Sequence, residues 1–236
     1  MTHPTDTDVL GEFLISARSS AEYRAIFALT DTDLRDRSIL DCPGGAASFT
    51  AEASELGAHV TAVDPIYHRT PAELRTLARV ESDRANTWAR THSDRYRWDW
   101  YGSPDEHHRL RRIAATRFGE DVTANPHRYI PAALPSLPFP DNTFDLVLSS
   151  HLLFSYADRL DAEFHLMALV ELSRVSRAQT RLYPLLDHIG RPRHELIAGL
   201  RTELHDKGIR TEIREVDYEF HHGANTMLVL HAPGTD

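Results

Sequence analysis

The stretch Ile39–Pro65, ILDCPGGAASFTAEASELGAHVTAVDP, decides how this 236-residue chain folds. Its opening, from Ser38 to Asp41, reads as a short buried strand that runs into Pro43, Gly44 and Gly45. A helical segment, AASFTAEASEL, follows and is stopped by Gly57. HVTAV is then a second apolar strand, closed by Asp64 and Pro65. Glycines at a strand–helix turn let the backbone approach a ligand, and the helix N-terminus presents free N–H donors. Asp64 lies 23 residues after Asp41, where an acid can accept hydrogen bonds from both hydroxyls of a ribose. The three-glycine dinucleotide fingerprint is incomplete, which argues against a nicotinamide cofactor. A tight strand–helix connection without a ligand is the plainer alternative.

Outward from this unit the alternation continues. FDLVLSS is a strand, 158–177 a helix, TRLYPLL a strand and 192–207 a helix. RTEIREVDYEF and TMLVLHA close the chain as strands joined by the turn HHGAN. Such alternation predicts a doubly wound α/β domain with a mostly parallel sheet, the final hairpin supplying an antiparallel strand. The domain spans 36–230. Before it, Phe13, Leu14, Ala17, Ala21, Ile26 and Phe27 fit one or two amphipathic helices, so 1–35 is expected to form a helical lid. Residues 66–128 are too many for a simple crossover and carry helical periodicity, as in Leu110, Ile113, Ala114 and Phe118. They are expected to form an inserted helical cap.

A formal charge of −9 disfavours nonspecific binding to nucleic acid or anionic membranes. The expected partner is a small molecule, and oligomeric state is left open. A single cysteine, Cys42, excludes an internal disulfide and suits a reducing compartment. It is expected to be a buried thiol rather than a nucleophile. The first residues lack the flanks of a secretion signal, and no apolar run is long enough to cross a bilayer, so the expected location is cytoplasmic. The pairs His107–His108 and His221–His222 do not have metal-ligand spacing, and no metal is expected.

The quoted stretch, LPSLPFPDNTFDLVLSSHLLFSY and the closing hairpin together resemble the class I S-adenosylmethionine-dependent methyltransferases. The resemblance implies a seven-stranded Rossmann-like sheet that binds S-adenosylmethionine. It places Asp41, Gly44 and Gly45 near the amino-acid end of that molecule, Asp64 on the ribose, and Ser150 and His151 at the reactive end. Two positions depart from the family pattern: Pro43 and Ala47 stand where glycines are usual, and Ala133 stands where an acid usually holds the adenine amino group.

All three tryptophans, Trp88, Trp98 and Trp100, fall within the cap, two of them in DRYRWDWYGSP. An aromatic face over a sulfonium gains about 0.5–2 kcal/mol, and packing the cap onto the body is the competing role. In an extended segment Trp98 and Trp100 share one face, with Asp99 and Tyr101 on the other. SAEYRAIFALT, DRYRWDWYGSP and YEFHHGAN also resemble azetidine-2-carboxylate synthases. That likeness implies intramolecular cyclisation of S-adenosylmethionine, releasing methylthioadenosine. Tyr23, Trp98 and Trp100 would then enclose the substrate, with Asp99 and Tyr101 relaying the amine proton and Asn225 beside the amine. Asn225 equally suits a turn. Methyl transfer to a small molecule of specialised metabolism is the alternative reaction, and a noncatalytic binding protein the third possibility.

Overall fold

The structure is a computed structural model that describes residues 13–232. The expected lid falls partly outside the described residues, since 1–12 are not among them. Of the rest, only Ser20–Phe27 (α1) and Asp31–Leu34 (α2) are helical. Residues 13–19 instead run as an irregular strap, a correction to the helix expected from their apolar spacing. The reason is local: Ser19 caps α1, its hydroxyl accepting the Glu22 N–H at 3.2 Å, which sets the helix start there. The strap's own N–H and C=O groups bond to other elements.

Seven strands form one sheet. They are β1 (Ser38–Asp41), β2 (His59–Val63), β3 (Tyr129–Ile130), β4 (Phe144–Ser150), β5 (Ser176–Tyr183), β6 (Arg210–Glu215) and β7 (Thr226–His231). Their order is β3-β2-β1-β4-β5-β7-β6, parallel except for β7, which is antiparallel to both neighbours. Strand periodicity sorts the side chains onto two faces. Leu40, Val147, Leu228 and Leu230 pack with α6 (Ala162–Val175) and α7 (His194–Asp206). Ile39, Leu146, Leu148, Met227 and Val229 pack with α1 and α3 (Phe49–Glu55). The strand-by-strand reading holds, with β3 the one strand missed: two residues leave no periodicity to detect.

The cap consists of α4 (Pro71–Thr91) and α5 (Pro104–Ala124). Both begin with a capping hydroxyl, Thr70 or Ser103, followed by proline at the first helical position. Their inner faces, including Leu74, Ala78, Ala114, Ala115 and Phe118, form a third apolar cluster with Tyr67 and Tyr129 at the β2–β3 edge. Between the helices, Tyr96 bridges to His221, Arg97 N–H bonds Phe220 O at 2.7 Å, and His222 N–H bonds Arg95 O at 3.0 Å. These backbone bonds fasten the cap to the β6–β7 connection, above the carboxyl ends of the parallel strands.

Candidate active site

The first cavity, about 400 Å³, opens where β1, β2 and β4 end. Tyr23, Gly44, Gly45, Asp64, Ser150 and His151 all line it. Gly45 has a left-handed backbone (φ 54°), which favours glycine. A methyl group on Gly44 would stand 2.5 Å from Tyr67 Oη and 2.8 Å from Ala62 Cβ. Gly44→Ala is therefore expected to lower stability by about 1–3 kcal/mol, measured by denaturant unfolding; an unchanged midpoint would contradict this packing.

Asp64 accepts N–H bonds from Gly45 and Ile66, each at 3.1 Å. Its carboxylate thus ties the glycine turn to the segment after β2. Burial raises its pKa, and the two backbone bonds oppose that rise. Asp41 lies beneath the turn, fully buried, where the Tyr23 hydroxyl donates toward both its oxygens at 3.0 Å. Burial pushes the Asp41 carboxyl well above the usual range, with Tyr23 acting the other way. Tyr23 itself stacks on Phe49 at 4.5 Å. Asp41 therefore positions Tyr23 rather than lining the cavity.

A second, smaller cavity of about 120 Å³ adjoins the first. Trp88, Tyr96, Tyr183 and Phe220 supply aromatic walls from the cap, β5 and the hairpin. Leu14, Ser16, Arg18, His151 and Tyr156 line both cavities and mark their junction. The strap crosses here. Ser16 O accepts from Ala46 N–H at 3.1 Å and Arg18 O from Ser48 N–H at 2.9 Å. Leu14 N–H reaches Tyr156 Oη at 2.8 Å, and Ile15 N–H reaches Glu81 Oε2 at 3.1 Å.

His151, directly after β4, holds a left-handed backbone (φ 53°) that a branched or bulky side chain rarely adopts. Its N–H bonds Tyr183 O at 2.7 Å, and its ring meets the Tyr183 ring edge at 5.3 Å. Burial, reinforced by Arg18 and Arg111, drives the imidazole pKa well below its ordinary value. The ring is thus neutral at the junction, in a strained conformation of the kind that clusters at functional sites.

Behind the second cavity lies a buried polar network. Glu22 Oε1 accepts from Arg111 Nη2 at 2.7 Å, Arg18 Nε at 3.1 Å and Tyr218 Oη at 3.1 Å. Arg111 also donates to Tyr101 Oη at 3.1 Å, His107 Nε2 at 3.1 Å and Ala17 O at 3.0 Å. The network joins α1, α5, the interhelical turn and the hairpin.

Over 225 residues, the chain is 30% identical to the uncharacterized protein MJ0045 of Methanocaldococcus jannaschii, covering 94% of this chain and 97% of the relative. The two belong to one family. A family model described as a methyltransferase domain matches residues 105–183. Among solved structures, the magnesium protoporphyrin IX methyltransferase of Synechocystis PCC 6803 is similar at 15% identity and a TM-score of 0.48, over 90% of this chain and 77% of that one. The 1,6-didemethyltoxoflavin-N1-methyltransferase of Burkholderia thailandensis is similar at 16% identity and a TM-score of 0.47, over 91% and 79%. The strand order, with its single reversed strand, is that of the doubly wound, Rossmann-like methyltransferase fold.

The remaining residues singled out from sequence sit elsewhere. Trp98 and Trp100 do not share a face of an extended segment: Trp98 O accepts from Tyr101 and Gly102 N–H groups, making a tight turn that the positive φ of Gly102 allows. Trp98 packs edge-on to His107 and Phe220, while Trp100 packs on Tyr101 and Tyr218 and is 37% exposed. Tyr101 is buried within the network, and burial pushes its phenol pKa up. Asp99 is exposed beside Arg97. Asn225 is exposed, and its carbonyl accepts from Val216 N–H at 2.9 Å. None of these five lines either cavity. Among the described residues, no cluster of three or more metal-ligating groups occurs and no helix is long and apolar enough to cross a membrane. Cys42 is buried, with its thiol pKa raised chiefly by burial.

Proposed function

We propose that this chain binds S-adenosylmethionine in the larger cavity and transfers its methyl group to a small molecule held in the aromatic one. The observation that carries this reading is the meeting of the two cavities at the strained, neutral His151. The donor groups fit the cofactor: each Asp64 oxygen makes one backbone bond and keeps acceptor capacity for a ribose hydroxyl. Ala133 lines the same cavity and offers no side-chain polar group to adenine, so adenine is held by apolar contact and backbone.

When bound, S-adenosylmethionine supplies an electrophilic methyl group on a positive sulfur. The chain's own residues then orient and desolvate. Tyr183, Tyr156 and Trp88 give that charge aromatic surroundings and exclude water. His151, kept neutral by its environment, accepts a hydrogen bond from the hydroxyl or amine of the acceptor and orients it toward the methyl group.

A second reading is favoured by the size of the aromatic cavity. It measures about 120 Å³ against about 400 Å³ for the first cavity, a space suited to a group as small as the cofactor's own aminocarboxypropyl chain. In that reading the chain is an azetidine-2-carboxylate synthase, the cofactor's amine displacing its own thioether.

One assay separates them. Purified protein is incubated with S-adenosylmethionine, alone and with a panel of small amines, phenols and carboxylates. S-adenosylhomocysteine appearing only with an acceptor supports methyl transfer; methylthioadenosine with a cyclic amino acid, and no acceptor, supports cyclisation. Absence of both products under every condition sinks both catalytic readings.

A further inference from the structure

We infer that two copies of this chain pair through the free edge of β6, in antiparallel register about Ile213, and join their sheets into one. The assembly goes beyond the proposed chemistry and does not depend on it.

β6 is the last strand of the sheet and is bonded to β7 on one side only. One step past the Glu215–Thr226 pair, the Val216 N–H donates to Asn225 O at 2.9 Å. Opposite residues of an antiparallel ladder alternate between bonded and non-bonded pairs. Glu212 and Arg214 therefore turn their backbone groups toward β7, while Thr211, Ile213 and Glu215 turn theirs outward. Among the described residues, one of these outward groups has a partner: Thr211 O accepts from Arg201 Nη2 at 3.4 Å and keeps a second lone pair.

Sheet edges are ordinarily blunted by shortness, proline, lysine or a bulge. The opposite edge, β3, is two residues long. β6 has six residues, RTEIRE, with no proline or lysine and an unbroken register along β7. At its centre the β-branched side chain of Ile213 is 48% exposed.

The strand's own charges identify its partner as a second copy. With a two-fold axis at Ile213, that residue faces itself, Thr211 faces the partner's Glu215, and Glu212 faces the partner's Arg214. The outward backbone groups then meet, each facing pair exchanging its N–H···O bonds. Moving the axis by one residue, onto Glu212 or Arg214, sets identical charges directly opposite each other, which is destabilising. The two faces of the strand keep these contacts apart. Ile213 lies opposite Leu228 on the α7 side, and Glu212 and Arg214 lie opposite Val229 and Met227 on the other. Within one chain Arg214 already donates to Glu212, so the axis gathers four side chains of alternating sign.

Sedimentation analysis of the full chain over a range of concentrations tests the pairing, with amide hydrogen exchange as a second readout. A dimer is expected, and the Thr211, Ile213 and Glu215 amides should gain protection as its fraction rises. Glu212→Arg sets arginines opposite arginines, and Arg214→Glu sets glutamates opposite glutamates. Each alone is expected to weaken dimerisation about tenfold or more. Mixing the two variants, or combining both substitutions in one chain, restores opposite charges at every facing position and should recover the dimer. The side chains of Arg214 and Glu212 are 37% and 45% exposed, so the fold is expected to survive, as thermal unfolding checks. Were either variant unfolded, exchange at the three wild-type amides decides alone. A monomer at every concentration overturns the inference. So does a dimer that neither single variant weakens, that the mixture fails to recover, or that leaves those three amides unprotected, because its interface then lies elsewhere.

Discussion

Glu22→Ala will lower the free energy of unfolding by about 3–5 kcal/mol, the cost of breaking one side of a buried ion pair. Glu22 is 2% exposed and carries the only carboxylate that Arg111 and Arg18 touch among the described residues. Without it, Arg111 remains buried at 7% exposure with neutral partners, and Tyr218 loses an acceptor for its hydroxyl. The pair spans α1 and α5, so its loss loosens the cap from the body rather than fraying a surface helix. The double variant Glu22→Leu with Arg111→Met is expected to regain most of that stability, because two apolar side chains bury no unpaired charge. Denaturant unfolding of the single and double variants closes the cycle. A single-variant loss below about 1 kcal/mol, the value for exposed pairs, would show that this pair is hydrated and that the cap is held by its apolar contacts alone.

The sequence reveals the sheet and the glycine-turn wall of the first cavity because both depend on short-range order. A strand, a glycine turn, a helix and an acid follow one another within Ser38–Asp64, and the fold brings them together at the end of β1 and β2. Tyr23 and His151 also reach the cavity as read, Tyr23 through a helix register that turns it onto Asp41. The aromatic cavity was less legible. Composition draws attention to DRYRWDWYGSP, yet of its aromatic residues only Tyr96 lines the space. The turn made by Trp98 O and Gly102 N–H sends Trp98 and Trp100 toward the hairpin instead. The facing walls come from Trp88 on α4, Tyr183 at the end of β5 and Phe220 beyond β6, residues more than thirty positions apart in the chain. Nothing local marks such a set.

Asp64→Asn will weaken S-adenosylmethionine binding about tenfold to a hundredfold, equivalent to losing one or two charge-assisted hydrogen bonds. The conservative change is the more informative one. The carboxylate presents one oxygen to Gly45 N–H and the other to Ile66 N–H, and both contacts require an acceptor. An amide offers one acceptor and one donor, so whichever way the substituted side chain is turned, an NH₂ group faces a backbone N–H. The glycine turn or the Ile66 segment must then move away, and the remaining oxygen can serve only one ribose hydroxyl. Asp64→Ala removes the donor–donor conflict along with both acceptors. It is expected to lose at least as much affinity while perturbing the turn less. Calorimetric affinities for S-adenosylmethionine and for its 2′-deoxy and 3′-deoxy analogues, measured on wild type and both variants, test the argument. The wild type should discriminate against the deoxy analogues and the Asp64→Ala variant should not. Equal affinity of all three proteins for S-adenosylmethionine would show that the ribose is not held by this carboxylate, and would confine the role of Asp64 to bracing the glycine turn.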